Sequence, residues 1–111
     1  MNEEKYPWCP GPDPDPNLVK FDVPEGAIDC HAHIFGPIEK YPYFDGRGYT
    51  PPDAPLETFL QLHKFLGGIE RAVLTQPSVY GTDNSCMLDA VEKMNGKFLA
   101  VVAVDADVTD K

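Results

Sequence analysis

Ala27-Ile28-Asp29-Cys30-His31-Ala32-His33-Ile34-Phe35-Gly36-Pro37 is the stretch on which the fold reading turns. A short apolar-rich run closed by Gly-Pro reads as a strand followed by a breaker. Strand side chains alternate, so this spacing predicts Asp29, His31 and His33 on one face and Cys30 and Ala32 on the other. Two imidazoles on one strand face, two positions apart, can converge on one ion or one substrate group. Neutral imidazole suits Zn²⁺ and similar cations, whereas an N–H donor can polarise a carbonyl or hold an anion. Two histidines beside a strand end with no ligand at all is the bland alternative. Their placement before the Phe-Gly-Pro break, at the C-terminal end of a first strand, weighs against it.

Downstream, residues 36–53 hold three glycines and four prolines and read as a long loop. Pro55 suits a first helical turn, with Asp53 as an expected cap. Leu56, Phe59, Leu60, His63 and Leu66 then recur at helical spacing until Gly67-Gly68. Arg71 to Gln76 reads as a second strand stopped by Pro77. Thr82, Asp83 or Asn84 caps a second helix with an expected inner stripe of Met87, Leu88, Val91 and Met94. Phe98 to Val104 is apolar without alternation, as in a strand covered on both faces. The order is β-α-β-α-β, with strands spaced by roughly 45 and 27 residues, and the second spacing suits a compact parallel βαβ unit. The first spacing carries an extra loop of about a dozen residues directly after the histidine strand. Loops at the C-terminal ends of strands build active sites in α/β folds.

Upstream, six prolines lie between Pro7 and Pro24. Residues 1–24 therefore read as an irregular arm, either wrapping the body or acting as a solvated tether, with the tether favoured. Residues 25–111 form the body.

The 111 residues include 18 acidic and 9 basic side chains, a formal charge of −9, and 42% are apolar. That length supports one domain with a core. The longest apolar run, Phe98 to Val104, is far short of the roughly 18–20 residues of a membrane span. The start of the chain lacks a cationic, apolar leader. An acidic balance excludes nucleic acid and anionic membrane as expected partners. Cys9, Cys30 and Cys86 are odd in number and far apart, which fits a reducing cytoplasm.

The opening strand resembles that of the amidohydrolase superfamily, and in particular its branch of 2-pyrone-4,6-dicarboxylate lactonases and related sugar lactonases. Tyr41-Pro42-Tyr43, Arg47-Gly48-Tyr49-Thr50-Pro51-Pro52-Asp53-Ala54-Pro55, Arg71-Ala72-Val73 and Gly81-Thr82-Asp83-Asn84 continue the resemblance in order, over about residues 24–107. The resemblance implies the N-terminal βαβαβ portion of a (β/α)8 TIM barrel with His31 and His33 at the mouth of strand 1. It implies hydrolysis of a carboxylated lactone or cyclic ester. In the metal-dependent relatives the two histidines bind a divalent ion such as zinc or manganese. In the lactonase branch they bind or polarise the lactone, and no cofactor is needed. Tyr49 and Ser78 match positions that line the substrate pocket of that branch. A later histidine, arginines and a water-activating aspartate would lie beyond Lys111. A complete barrel takes roughly 250 residues. The chain accordingly reads as the N-terminal piece of a lactonase-like enzyme, inactive by itself and prone to self-association through unpaired strand edges.

Further candidates carry alternatives. Asp29 reads either as a metal ligand or as a structural carboxylate. Arg47 either pairs with a carboxylated substrate or is an exposed loop arginine. Tyr49 either binds a substrate oxyanion or plugs its loop onto the body. Ser78 sits at the strand end suited to a site, without the surroundings of a nucleophile. Tyr80 flanks the same loop, and His63 reads as a core-edge histidine. Two rival readings of the chain are a metal-dependent hydrolase or decarboxylase of the same superfamily and a non-catalytic βαβαβ module.

Overall fold

A computed structural model describes residues 6–110. Five regular elements and one short turn follow the expected order: β1 (Ile28–Ala32), α1 (Leu56–Phe65), β2 (Arg71–Thr75), a 3₁₀ turn (Ser78–Tyr80), α2 (Ser85–Lys93) and β3 (Phe98–Val101). The three strands form one parallel sheet in the order β1-β2-β3. This is the arrangement expected of the opening portion of a (β/α)8 barrel.

Paired residues on neighbouring strands point to the same face. Ala72 is paired with Phe98 and Leu74 with Ala100, and these side chains face the helices. Leu74 and Phe98 are essentially fully buried, together with Met87, Val79 and His63. α1 reaches this core through Phe59, whose ring centroid lies 5.8 Å from that of Phe98.

α2 is rotated from the expected stripe. Cys86, Met87 and Ala90 form its buried face, while Leu88 is 46% exposed. The small side chains of Cys86 and Ala90, one turn apart, let the helix approach the sheet closely, so bulk alone misidentifies the inner face. Its N-cap, Asn84, makes no side-chain capping bond; one residue earlier, Asp83 Oδ1 accepts both the Ser85 N–H and the Ser85 hydroxyl. These bonds hold the Asp83 carboxyl below its ordinary range. Asn84 has a different task. Its amide donates to Ala103 O at 2.9 Å and accepts from Ala103 N–H at 3.0 Å, tying the start of α2 to the segment after β3.

β3 is shorter than expected and does alternate. Phe98 is buried, whereas Leu99 is 66% and Val101 52% exposed. Among the described residues nothing covers the second face of the sheet. In a closed barrel that face is filled by side chains from other strands.

The expected cap of α1 is also absent. Pro55 occupies the position before the first turn without a side-chain cap, and Asp53 is turned towards Gly36 instead. Gly36 has φ +80°, and a Cβ there would overlap Asp53 Oδ1. Its N–H donates to the Tyr80 hydroxyl at 2.8 Å. Phe35 and Ala54 exchange both backbone hydrogen bonds, closing the neck of the 36–53 loop.

Within residues 6–24 the arm is largely exposed and touches the body at several points. Trp8 bridges to Thr50, the Tyr6 hydroxyl donates to Asp45, and Val23 lies against Gly67.

Two substitutions test this packing. Leu74→Ala should cost about 2–5 kcal/mol in a denaturant titration, because it empties a fully enclosed site. Gly36→Ala should cost about 1–3 kcal/mol for its backbone conformation alone. Adding Asp53→Ala should recover only the part due to overlap. Full recovery in the double variant would show that φ is not constrained there.

Candidate active site

The pairing of β1 with β2 carries the central feature. Asp29 is paired with Ala72, and Ala32 with Leu74. Three steps along β1 thus match two along β2, which is a β-bulge. Both Asp29 and Ala32 therefore face the helices. The alternation that places Asp29 with the histidines is broken by the bulge. His31 and His33, which flank Ala32, project from the opposite face, and both are exposed. The expectation that Asp29, His31 and His33 share a face is corrected accordingly.

Asp29 instead meets α1. Its Oδ2 lies 3.0 Å from His63 Nε2, and its Oδ1 accepts the backbone N–H of His31 at 3.4 Å. Asp29 is thus engaged in the fold, which is its structural reading. His63 is more deeply placed than the core edge, at 1% exposure.

The imidazole rings of His31 and His33 are 5.2 Å apart between centroids and nearly perpendicular. His33 Nδ1 lies 2.7 Å from Thr75 O at the end of β2. A carbonyl can only accept, so Nδ1 carries the hydrogen, and in the neutral ring Nε2 is left as a lone pair. That nitrogen can take up a proton and then donate to a carbonyl, or it can bind a metal ion. Metal-binding histidines commonly donate their other N–H to a backbone carbonyl. His31 and His33 could supply two ligands to such an ion. Among the described residues, no group of three or more His, Cys, Asp or Glu side chains is placed to complete a metal site.

A row of rings runs from the histidines into the long loop. His33 and Phe35 lie 6.2 Å apart, Phe35 and Tyr80 6.4 Å, and Tyr80 and Tyr43 5.1 Å. Tyr80 is buried, and its hydroxyl anchors Gly36. Burial pushes its phenol up, and the Cys86 thiol beside it as well.

The other candidates from the sequence are not joined to the imidazoles by any hydrogen bond or ring contact. Tyr49 is half-buried and packs against the core. Ser78 is exposed at the start of the turn after β2. Arg47 is engaged within its own loop. Its Nε donates to Thr50 Oγ1 and its Nη1 to Phe44 O, both at 3.1 Å, and its guanidinium lies 4.2 Å from the Tyr6 ring centroid. Sequence reasoning missed Thr75, whose carbonyl orients His33, and Phe35. The strand register would have pointed to the first; the odd-numbered spacing His31, His33, Phe35 pointed to the second. It also missed a groove of about 310 Å³ between the arm and α1, which is lined by Pro14, Pro55, Phe59, Leu62 and Phe65 and reaches His33.

The amidohydrolase family model matches residues 28–111. The chain belongs to the amidohydrolase family. It is 49% identical over 106 residues to the 4-sulfomuconolactone hydrolase of Hydrogenophaga intermedia, covering 96% of this chain and 35% of that protein. It is 36% identical over 96 residues to the 2-pyrone-4,6-dicarboxylate hydrolase of Comamonas testosteroni, covering 86% of this chain and 31% of that one. Among solved structures, it superposes with a TM-score of 0.64 and 28% identity on a probable 2-pyrone-4,6-dicarboxylic acid hydrolase from Acinetobacter baumannii that has citric acid bound, over 76% of this chain and 31% of that chain. The chain spans about a third of the length of these amidohydrolase relatives.

The tyrosines of the loop give a pH test. Burial, followed by the hydrogen bond to the Asp89 carboxylate, pushes Tyr41 from 10.0 up to about 12. Burial, followed by the Asp53 charge, pushes Tyr43 up to about 12. A raised folded pKa means that folding favours the neutral phenol. The resulting stability is intact below pH 10 and is lost as pH rises from 10 through about 12. Ultraviolet titration should therefore show tyrosines ionising late in the folded chain, and all at ordinary pH once denaturant is added.

Proposed function

We propose that the whole protein hydrolyses a carboxylated lactone or cyclic ester, with His31 and His33 acting on the scissile carbonyl. The observation that carries this reading is the pair of exposed imidazoles at the C-terminal end of β1, with His33 held by Thr75 O. The relatives named for lactone hydrolysis support it. His33 already donates Nδ1–H to Thr75. In its protonated form it presents Nε2–H to the lactone oxygen, and His31 approaches from the perpendicular direction. Charge developing on that oxygen is thereby stabilised. Water adds to the carbonyl carbon and loses its proton to a general base supplied outside residues 1–111, an aspartate in this reading. The ring C–O bond breaks, the leaving oxygen takes up a proton, and a carboxylate remains. Tyr49, Ser78 and Arg47 are assigned to substrate binding in the assembled pocket. Arg47 would have to exchange its loop contacts for substrate oxygens. The three free cysteines suit a reducing cytoplasm.

A second reading is favoured by the same His33 bond. With Nδ1–H donated to a carbonyl, His33 Nε2 is disposed to bind a divalent ion, with His31 as a second ligand; such an ion would polarise the substrate or its attacking water.

In the full-length protein, changing both histidines to alanine should lower kcat/KM for lactone hydrolysis by about 10²–10⁴-fold. Unaltered hydrolysis would overturn the assignment. Near-stoichiometric zinc or manganese, with activity lost to chelators, would establish the metal-dependent reading in place of the metal-free one.

A further inference from the structure

The pairing of Asp29 with His63 is unusual for so small a core. His63 sits on α1 at 1% exposure, with the Phe59 ring 4.0 Å and the Phe98 ring 6.3 Å from its own. Its Nδ1 is also buried and finds no partner among the described residues. A leucine or phenylalanine would fill this apolar space without desolvating two ring nitrogens. One polar contact compensates: Nε2 to Asp29 Oδ2. The second oxygen of the same carboxylate reaches the backbone N–H of His31, within the bulge. A continuous path thus leads from a helix, through one carboxylate, to the backbone of the first exposed histidine.

The bulge is what this path secures. Without the extra residue, His31 and His33 would turn towards the helix side, because a slip of one residue exchanges the faces of a strand. Among the described residues, His63 is the helix-side hydrogen-bond partner of the Asp29 carboxylate. With Asp29 ionised it can only accept, so His63 Nε2 must be the donor.

We propose that His63 is a positioning residue for His31 and His33: by donating to Asp29 it fixes the bulge that presents both imidazoles at the strand mouth. The kinetic part of this proposal rests on the reading of those histidines as the groups that act on the lactone. The geometric part does not.

The test uses the full-length protein with His63→Phe, which retains the ring volume but removes the donor, and His63→Gln, whose amide nitrogen can stand near Nε2. Two-bond ¹H–¹⁵N spectra of the imidazoles read the His33 tautomer directly. In the unaltered protein His33 should show a single Nδ1–H form, as its bond to Thr75 O requires. In His63→Phe this should give way to an averaged signal, with kcat lowered by about 10–100-fold, the usual effect of losing a group that orients a site residue. His63→Gln should keep the Nδ1–H form and most of kcat. A fixed Nδ1–H form in a folded His63→Phe protein would overturn the proposal, whatever the kinetics. If His63→Phe does not fold, His63→Leu is read in the same way: an averaged His33 signal supports the proposal and a fixed Nδ1–H form overturns it. The two readings fail separately. Alanine at both His31 and His33 without loss of activity would remove the lactone reading, yet leave the tautomer result as a test of positioning.

Discussion

One extra residue in β1 governs the arrangement of everything that bears chemistry in this chain. Between Asp29 and Ala32, three steps face two on β2. A regular strand would have put an aspartate and two histidines on one face, with the core or the mouth receiving all three. The bulge separates them. The carboxylate goes to α1 and His63, and the imidazoles go to the exposed face. A bulge leaves a residue out of the ladder and bends its strand, so it persists where other contacts hold it. Here those contacts are the Asp29 carboxylate on one side and the His33 bond to Thr75 O on the other.

The long loop after β1 depends on the same strand through a second anchor. Gly36 leaves the strand at positive φ, its N–H held by the buried Tyr80 hydroxyl. Tyr80 in turn begins its own path at the end of β2. The loops after the first two strands are therefore fastened to each other, and the rings of Phe35, Tyr80 and Tyr43 lie between them. Arg47 is built into this loop by hydrogen bonds to Thr50 and Phe44. Its charge shapes the loop in this structure; any role towards substrate requires those bonds to be exchanged.

The uncovered face of the sheet has the same logic as the exposed histidines. Ile28, Leu99 and Val101 are 45%, 66% and 52% exposed. In the barrels of this family such side chains are interior, so their apolar character answers to neighbours that the described residues do not supply. For that reason the apolar run at Phe98 reads as doubly covered, whereas the structure shows one covered side. The chain spans about a third of its relatives, and the uncovered side is the physical counterpart of that fraction.

The order of strands and helices was legible from the sequence, because periodicity and Gly-Pro breaks are local properties of the chain. So was the stopping of α1 at Gly67-Gly68. Family membership was legible too, since His-x-His, Tyr-Thr-Pro-Pro-Asp-Ala-Pro and Gly-Thr-Asp-Asn recur in order. What only tertiary structure decided is where each side chain points. Alternation holds within an unbroken strand, and nothing local to Asp29-Cys30-His31 announces that its partner advances by only two residues over the same stretch. The roles of Asp53, Asn84 and His63 were hidden for the same reason. Asn84 and His63 take their partners from residues distant in sequence, Ala103 and Asp29, and Asp53 lies beside Gly36, so only the folded chain brings these groups together.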